Sequence, residues 1–549
     1  MQRERTIFRS IRWRLLARAS TLALRVAPRQ RGWASGLLAA SLVGASAPAL
    51  AQATVDLATD ADLVIQGAAA GDSTGRSVSG AGDVNGDGID DLLIGAPNAS
   101  RNGRDYAGAS YVIFGAAHGF PPTMDLATEA GLVIQGAAAR DYSGRSVSGA
   151  GDVNGDGIDD LIIGAPDVRD GAGASYLVFG ARDLAGTIDL ADPVNGADLI
   201  IQGVAARDFS GSLVGGAGDV NGDGIDDVLI GAWGADPNGR DYAGATYVVF
   251  GAVDLSGSID LADPVNGADL FIQGAATFDS LGESASGAGD VNGDGIDDLL
   301  IGAPNASRDG RDYAGASYVV FGAVDLSGTI DLADPVNGAD LFIQGAATFD
   351  SLGKSASGAG DVNGDGMDDL FIGASNASRD DRDHAGASYV VFGAMDLSST
   401  IDLADPVNGV DLLIQGGSWV SGADDVNGDG IDDLIIGDDL ASANGRDYAG
   451  ASYVVFGGPA APIERLIAGI EAAGLPREIE NSLTKKLSNA QGSLARSQIN
   501  GAISKIGAFI NLVEAQRGEQ IDEADADAWI AAAQRVNAMS WSSVSLPSR

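Results

Sequence analysis

The chain has 549 residues, 76 of them acidic against 33 basic, with a formal net charge of −43. That balance argues against nucleic acid and anionic membrane as partners. Cysteine is absent, which excludes disulfides, thiolate metal sites and lipid-modified cysteine.

Residues 1–51 differ from everything after them, with nine arginines and a single acid, Glu4. A small-residue apolar stretch runs from Gly36 to Pro48 and ends in Ala49-Leu50-Ala51. A basic leader with an unusually long n-region, an apolar segment and an A-x-A site predict an export signal cleaved after Ala51. The protein is therefore expected to be secreted, periplasmic or associated with the cell surface. No later apolar run approaches the roughly 20 residues that a membrane span needs.

An acidic decapeptide, "GDVNGDGIDD" at 151–160, recurs from 54 to 457. Its first aspartates are Asp83, Asp152, Asp219, Asp290, Asp361 and Asp425, spaced 64–71 residues apart. A fixed period is the signature of a repeat architecture. Glycine, at 80 residues, is about twice as frequent as average and signals many turns. Each unit reads as four short strands separated by Gly, Asn, Asp and Pro. In the first unit these are Ser77–Gly82, Asp91–Gly95, Ala109–Phe114 and Leu132–Gln135. Four antiparallel strands per repeat predict an all-β propeller, and the crowding of the first strand explains its Gly, Ala and Ser. The last unit ends after its third strand, Tyr453–Phe456, whereas the chain begins with an unpartnered fourth-type strand, Leu63–Gln66. Six blades are predicted, the N-terminal strand completing the last, with seven blades as the alternative. Closure of that kind leaves no open sheet edge.

The acidic loop carries oxygen side chains at positions 1, 3, 5 and 9, with glycines at 4 and 6. This matches the first part of an EF-hand loop, whose seventh residue contributes its carbonyl. The bidentate Glu of position 12 is missing, because Ile94 already lies in a strand. Asn-Gly and Asp-Gly alone would also make hairpin turns, but a turn does not require three carboxylates and an Asn in phase. Up to six Ca²⁺ ions are expected, Mg²⁺ being a poorer fit because it demands a stricter octahedron. The expected ligands begin with Asp83, Asn85, Asp87, Ile89 and Asp91, then Asp152, Asn154, Asp156, Ile158 and Asp160. The third and fourth loops offer Asp219, Asn221, Asp223, Ile225 and Asp227, and Asp290, Asn292, Asp294, Ile296 and Asp298. The fifth and sixth offer Asp361, Asn363, Asp365, Met367 and Asp369, and Asp425, Asn427, Asp429, Ile431 and Asp433.

The stretch "FDSLGESASGAGDVNGDGIDDLLIGAP" at 278–304, followed by "GASYVVFG" at 315–322, resembles an FG-GAP repeat. This is the blade of the integrin α-subunit propeller and its bacterial relatives, and the resemblance covers about 400 residues. It implies a β-propeller with Ca²⁺ in the hairpin between the first two strands of a blade. Integrin propellers have seven blades and metal in only some, so this chain departs on both counts. The sixth repeat departs most, with "QGGSWVSGADD" at 415–425 and a shorter loop between blades.

Arg-Asp recurs before each third strand, at 104–105, 169–170, 240–241, 311–312, 382–383 and 446–447, and reads as a structural pair fixing the loop. Asn98, Asn305 and Asn376 stand in glycosylation sequons. His118 and His384 are the two histidines, and no nucleophile motif or nucleotide loop is present, so no catalytic residue is assigned.

Composition changes after a linker at 458–461. Apolar residues at helical spacing, Ile463, Leu466, Ile467 and Ile470, then Ile499, Ile503, Ile506, Ile510 and Val513, predict an all-α module over 462–540. Four helices are expected at about 462–473, 476–491, 495–517 and 522–538, before a tail at 541–549. "KKLSNAQGSLARSQINGAISKIGAFINLVEAQRG" at 485–518 and "ADADAWIAAA" at 524–533 resemble the FIMAH module of secreted and surface bacterial proteins. The combination points to an exported calcium-binding propeller that binds a protein or glycan at the cell surface or matrix. The alternatives are a polysaccharide hydrolase or lyase using the propeller as scaffold, and a structural envelope component.

Overall fold

The computed structural model describes residues 63–533 apart from 117–119, 379–385, 406–410, 424–430, 439–450, 458–466, 471–474, 495–498, 522–525 and scattered single or paired positions. The export leader, the linker, the C-terminal tail, both histidines, Arg382-Asp383, Arg446-Asp447 and the expected ligands Asp425, Asn427 and Asp429 lie outside the described residues.

Successive units form successive antiparallel sheets. In the second unit, Ser146–Gly151 pairs with Asp160–Ala165, which pairs with Ala174–Val178, which pairs with Leu199–Gln202. In the second to fifth sheets the second strand is buried along its length, as Asp160–Ala165 shows, because apolar cores fill the space between neighbouring sheets. One such core joins Leu93, Val112 and Ile134 of the first sheet to Leu161, Ile163 and Tyr176 of the second. The sequence therefore reads there as a continuous apolar run rather than an alternating one.

The expectation of four strands per blade is corrected to five in the first four sheets. A short segment from the following unit adds in parallel to the fourth strand: Gly186–Asp189 on Leu132–Gln135, and Gly257–Asp260 on Leu199–Gln202. These four-residue segments offer one well-packed apolar side chain each, too weak a pattern to read as a strand, and their partners lie in the preceding repeat. The fifth sheet has four strands and the sixth three, Trp419–Gly422, Leu434–Asp438 and Ala451–Val455.

The N-terminal strand, Val64–Gln66, pairs in parallel with Thr123–Asp125. That is the pairing a fourth strand makes with a fifth. Its expected partner, Ala451–Val455, pairs only with Leu434–Asp438 among the described residues. The two sheets together hold the five strand types of one blade, and the six-blade count rests on their union.

The first strands approach one another closely, as their small residues imply. A Cβ placed on Gly149 would stand 2.9 Å from the Gly80 carbonyl, and one on Gly287 would stand 2.7 Å from the Ala217 carbonyl. Serine hydroxyls stitch the same strands, Val147 N–H donating to Ser77 Oγ at 3.0 Å and Val214 N–H to Ser146 Oγ at 3.1 Å. A bulge ends the first strand of the first five units just before the acidic loop, as between Gly287 and Gly289. Gly289 has φ +70°, and an added Cβ there would meet the Asp368 carboxylate of the next blade. Gly289→Ala should therefore destabilise the protein by about 2 kcal/mol or more, through backbone strain and displacement of a half-buried carboxylate. A melting temperature equal to that of the parent chain would contradict this.

The recurring Arg-Asp pairs hold the loops, but the arginines reach past their neighbouring aspartates. Arg104, Arg240 and Arg311 instead pair with Asp189, Asp331 and Asp402 at the ends of the added fifth strands. The sequon asparagines Asn98, Asn305 and Asn376 donate from Nδ2 to Ser73, Ser280 and Ser351 at 2.7–3.0 Å. In the C-terminal segment, α1 (Arg477–Leu494) and α2 (Ile499–Gln516) fall on two of the expected helices. They share a core of Leu483, Leu487, Ile506, Phe509 and Val513. No described helix is long and apolar enough to cross a membrane.

Candidate metal centre

Among the described residues, each of the first five acidic loops is a hairpin between the first and second strands, and its carboxylates organise its own backbone. In the second loop Asp152 accepts the N–H groups of Asp156 and Gly157 at 2.9 and 2.7 Å. Asp156 accepts that of Ile158 at 3.0 Å. Asp160, fully buried at the start of the second strand, accepts Val153 N–H at 3.1 Å and Gly180 N–H at 2.8 Å. Asn154 donates to the same carboxylate at 3.2–3.3 Å. Bonds of this kind from positions 1, 5 and 9 recur in the first, third, fourth and fifth loops. In the sixth, Asp433 accepts Gly457 N–H at 2.8 Å.

Among the described residues no three carboxylate, imidazole or thiol groups surround a common point, and positions 1 and 5 direct oxygens at loop N–H groups. Three observations nevertheless fit a small hard cation. The donors are all oxygen. In the fifth loop Asn363, fully buried, has its Oδ1 without a hydrogen-bond partner, an orphan acceptor that costs free energy unless something positive meets it. Burial raises the pKa of the position-9 carboxyls of the first four loops, with repulsion from positions 5 and 1 adding to it. Asp91 is pushed up to about 6, and Asp160, Asp227 and Asp298 to about 7. Asp369 lies well above the ordinary range for the same reason, and Asp365 is pushed up to about 6 by burial.

A carboxyl whose pKa rises from the ordinary 3.8 to about 7 in the folded chain, as at Asp160, favours folding while protonated. That contribution is lost as pH rises toward about 7. The carboxylates with depressed values, such as Asp189 and Asp402, are ionised in both states above pH 5.5 and contribute no slope there. With a chelator present, the melting temperature should therefore be higher at pH 5.5 than at pH 8. A flat or rising profile over that interval would exclude the assignment.

A second set of contacts joins loops of neighbouring blades through position 8, which the sequence reading left without a role. The N–H groups of Asp83, Asp152, Asp219, Asp290 and Asp361 donate at 2.7–3.0 Å to Asp159, Asp226, Asp297, Asp368 and Asp432. The presence of Asp at this position in every copy was the available signal.

The opposite end of the sheets, where second strands lead to third and fourth strands to the next blade, carries aromatic rings. Tyr106 meets Tyr142 across one blade junction at 6.0 Å, and Tyr313 meets Phe349 at 5.8 Å across another. Phe209, Trp233, Tyr242 and Phe278 form a continuous row with centroids 5.1–6.4 Å apart. Tyr106, Tyr242, Phe278, Tyr313 and Phe349 are exposed and have positive φ, an uncommon backbone state for aromatic residues. The tyrosines directly follow the recurring Arg-Asp pairs and the phenylalanines stand in a repeated Phe-Asp-Ser, but nothing local shows that the two sets meet across blade junctions.

Repeated antiparallel sheets, each with an acidic hairpin at one end, define a β-propeller with candidate cation loops. Residues 74–113, 143–178, 211–249, 282–320 and 355–391 match the FG-GAP repeat, so the chain carries five FG-GAP repeats by that measure, with a sixth unit of the same strand pattern. The chain is homologous to integrin alpha pat-2 of Caenorhabditis elegans, 32% identical over 230 residues, covering 41% of this chain and 17% of the relative. It is also homologous to phosphatidylinositol-glycan-specific phospholipase D of Homo sapiens, 31% identical over 307 residues, covering 53% of this chain and 34% of the relative. The chain thus spans about a third or less of the length of these relatives. A solved structure titled "Structure of Dos1 propeller" is similar over 67% of this chain and 65% of that one, at 10% identity and a TM-score of 0.31.

Proposed function

We propose that this chain is an exported, calcium-binding propeller that binds an extracellular protein or glycan through its aromatic end. The observation that carries the reading is the set of exposed rings at the blade junctions, held in strained backbone conformations opposite the acidic loops. Strain of this kind persists where the surrounding structure over-determines it, and it clusters at binding sites. Rings supply large contact area at low entropic cost, and aromatic residues dominate binding hot spots. Homology to an integrin alpha chain supports adhesion. Calcium fits as the ion of the acidic loops, positions 1, 3, 5 and 9 offering side-chain oxygens and position 7 a carbonyl. Its role would be structural, closing each hairpin by neutralising carboxylates that otherwise repel.

The experiment is a screen of the immobilised chain against glycans and matrix proteins, with calcium and with chelator. A ligand bound by the parent should lose about thirtyfold in affinity in Tyr242→Ala/Phe278→Ala, the scale of a hot spot worth ~2 kcal/mol. Unchanged affinity, or no ligand at all, counts against the reading. Homology to a phospholipase D favours a hydrolytic alternative. Release of a glycosylphosphatidylinositol-anchored reporter by the purified chain would select it.

A further inference from the structure

Position 8 of each acidic loop lies between two expected ion ligands, the carbonyl of position 7 and the carboxylate of position 9. In the second to sixth loops its own side chain faces away, into the preceding blade. There Asp226 Oδ2 accepts Asp152 N–H at 2.8 Å, and Asp226 N–H donates to the Asp152 carbonyl at 3.3 Å. The pair repeats between Asp297 and Asp219, at 3.0 and 3.4 Å, and between Asp368 and Asp290, at 2.9 and 3.1 Å. Position 1 of one loop is thus gripped on both sides of its peptide by position 8 of the next. Packing reinforces the contact, since Ile225 of the third loop lies over Gly155 of the second.

We propose that the position-8 aspartates act as positioning residues that link the cation loops of neighbouring blades, so that an ion held in one loop tightens the loop before it. The inference rests on the acidic loops binding a divalent cation. An ion in the third loop would immobilise positions 7 and 9, and therefore Asp226 between them. Asp226 in turn fixes the backbone of Asp152, the first ligand of the second loop. A loop whose first ligand is already ordered loses less freedom on binding, which is positive coupling carried by order rather than by movement. The acids at position 8 need not touch an ion to do this. The contact always joins position 8 of one blade to position 1 of its predecessor, but the coupling is reciprocal, so the affinities of both partners rise by the same factor.

Calorimetric titration of the chelator-stripped full chain with Ca²⁺ tests it. The parent should bind with a Hill coefficient above 1. Asp226→Ala/Asp297→Ala breaks two of the five links, so it should bind the same number of ions with a Hill coefficient below that of the parent, and the affinity of the loops so uncoupled should be about fivefold weaker, the lower end of ordinary coupling. Asp226→Asn keeps an acceptor oxygen for Asp152 N–H and should stay within about twofold of the parent; it decides the matter if the alanine variant does not fold. A parent Hill coefficient of 1, or an asparagine variant as impaired as the alanine, overturns the linkage alone. Loss of one ion per substitution also overturns it, by making position 8 a direct ligand. Absence of any bound Ca²⁺ overturns the linkage together with the cation reading.

Discussion

Removal of calcium is expected to lower the melting temperature of the chain by about 15 °C. A ligand that binds only the folded state at 100 times its dissociation constant stabilises by ~2.7 kcal/mol per site, or about 13 kcal/mol summed over five loops. Unfolding a body of roughly 400 residues carries about 0.8 kcal/mol per kelvin of entropy, which converts that stabilisation to the stated shift. The effect should be large because the ion resolves three costs at once. It meets the orphan carbonyl of Asn363, it permits buried Asp369 and its equivalents to ionise, and it offsets repulsion between positions 1, 5 and 9. Asp298→Asn should remove one ion by elemental analysis and about 3 °C of the shift. Scanning calorimetry with 1 mM CaCl₂ against excess EGTA checks the first expectation, and coincident transitions would defeat it. Substitution of Mg²⁺ should restore only part of the shift, since the loop offers no regular octahedron.

Closure of the ring is the second large effect. In the first five blades the tyrosine of the third strand is buried, as at Tyr111 and Tyr389, whereas Tyr453 and Val454 of the sixth are 41% and 49% exposed. Val64, of the fourth-type N-terminal strand, is 44% exposed. An apolar strand edge of this kind templates association. The register of complete blades, Ser110 opposite Ile134 and Tyr111 opposite Val133, places Ile65 opposite Ser452 and Val64 opposite Tyr453. The chain has no cysteine, so Ile65→Cys/Ser452→Cys reports the pairing without competing thiols. A disulfide within one chain should form on oxidation and raise stability by up to ~5 kcal/mol, because the loop it closes is long. Replacing Ile65 by Pro should lower the melting temperature and promote association through the open edge. A disulfide formed only between chains would show that the edge is filled by a second copy, and failure to form one would remove the N-terminal strand from the sixth blade.

Much of the fold is legible locally. The recurrence of Asp83 and its equivalents gives the repeat, and the apolar run after each loop gives a strand buried on both faces. The Gly, Ala and Ser of the first strand announce close packing, which Gly149 and Gly287 confirm by leaving no room for a Cβ. The spacing of Ile499, Ile503, Ile506 and Val513 similarly marks α2, because helical period is written in consecutive residues.

The fifth strands were not legible, since Gly186–Asp189 acquires its conformation by adding to Leu132–Gln135, some fifty residues away in the previous repeat. The partners of Arg104 and Arg311 were likewise hidden: the obvious acid is the adjacent one, and the actual acids, Asp189 and Asp402, follow in the next repeat. For the acidic loop, residue type and spacing by themselves determine that oxygen donors alternate round a tight turn, because both follow from neighbours in the chain. Only the tertiary structure decides which of them are buried, which carbonyl is left without a donor, and that position 8 belongs to the preceding blade. Those properties arise where one sheet packs against another, and the strength of a charge or hydrogen bond depends on that burial.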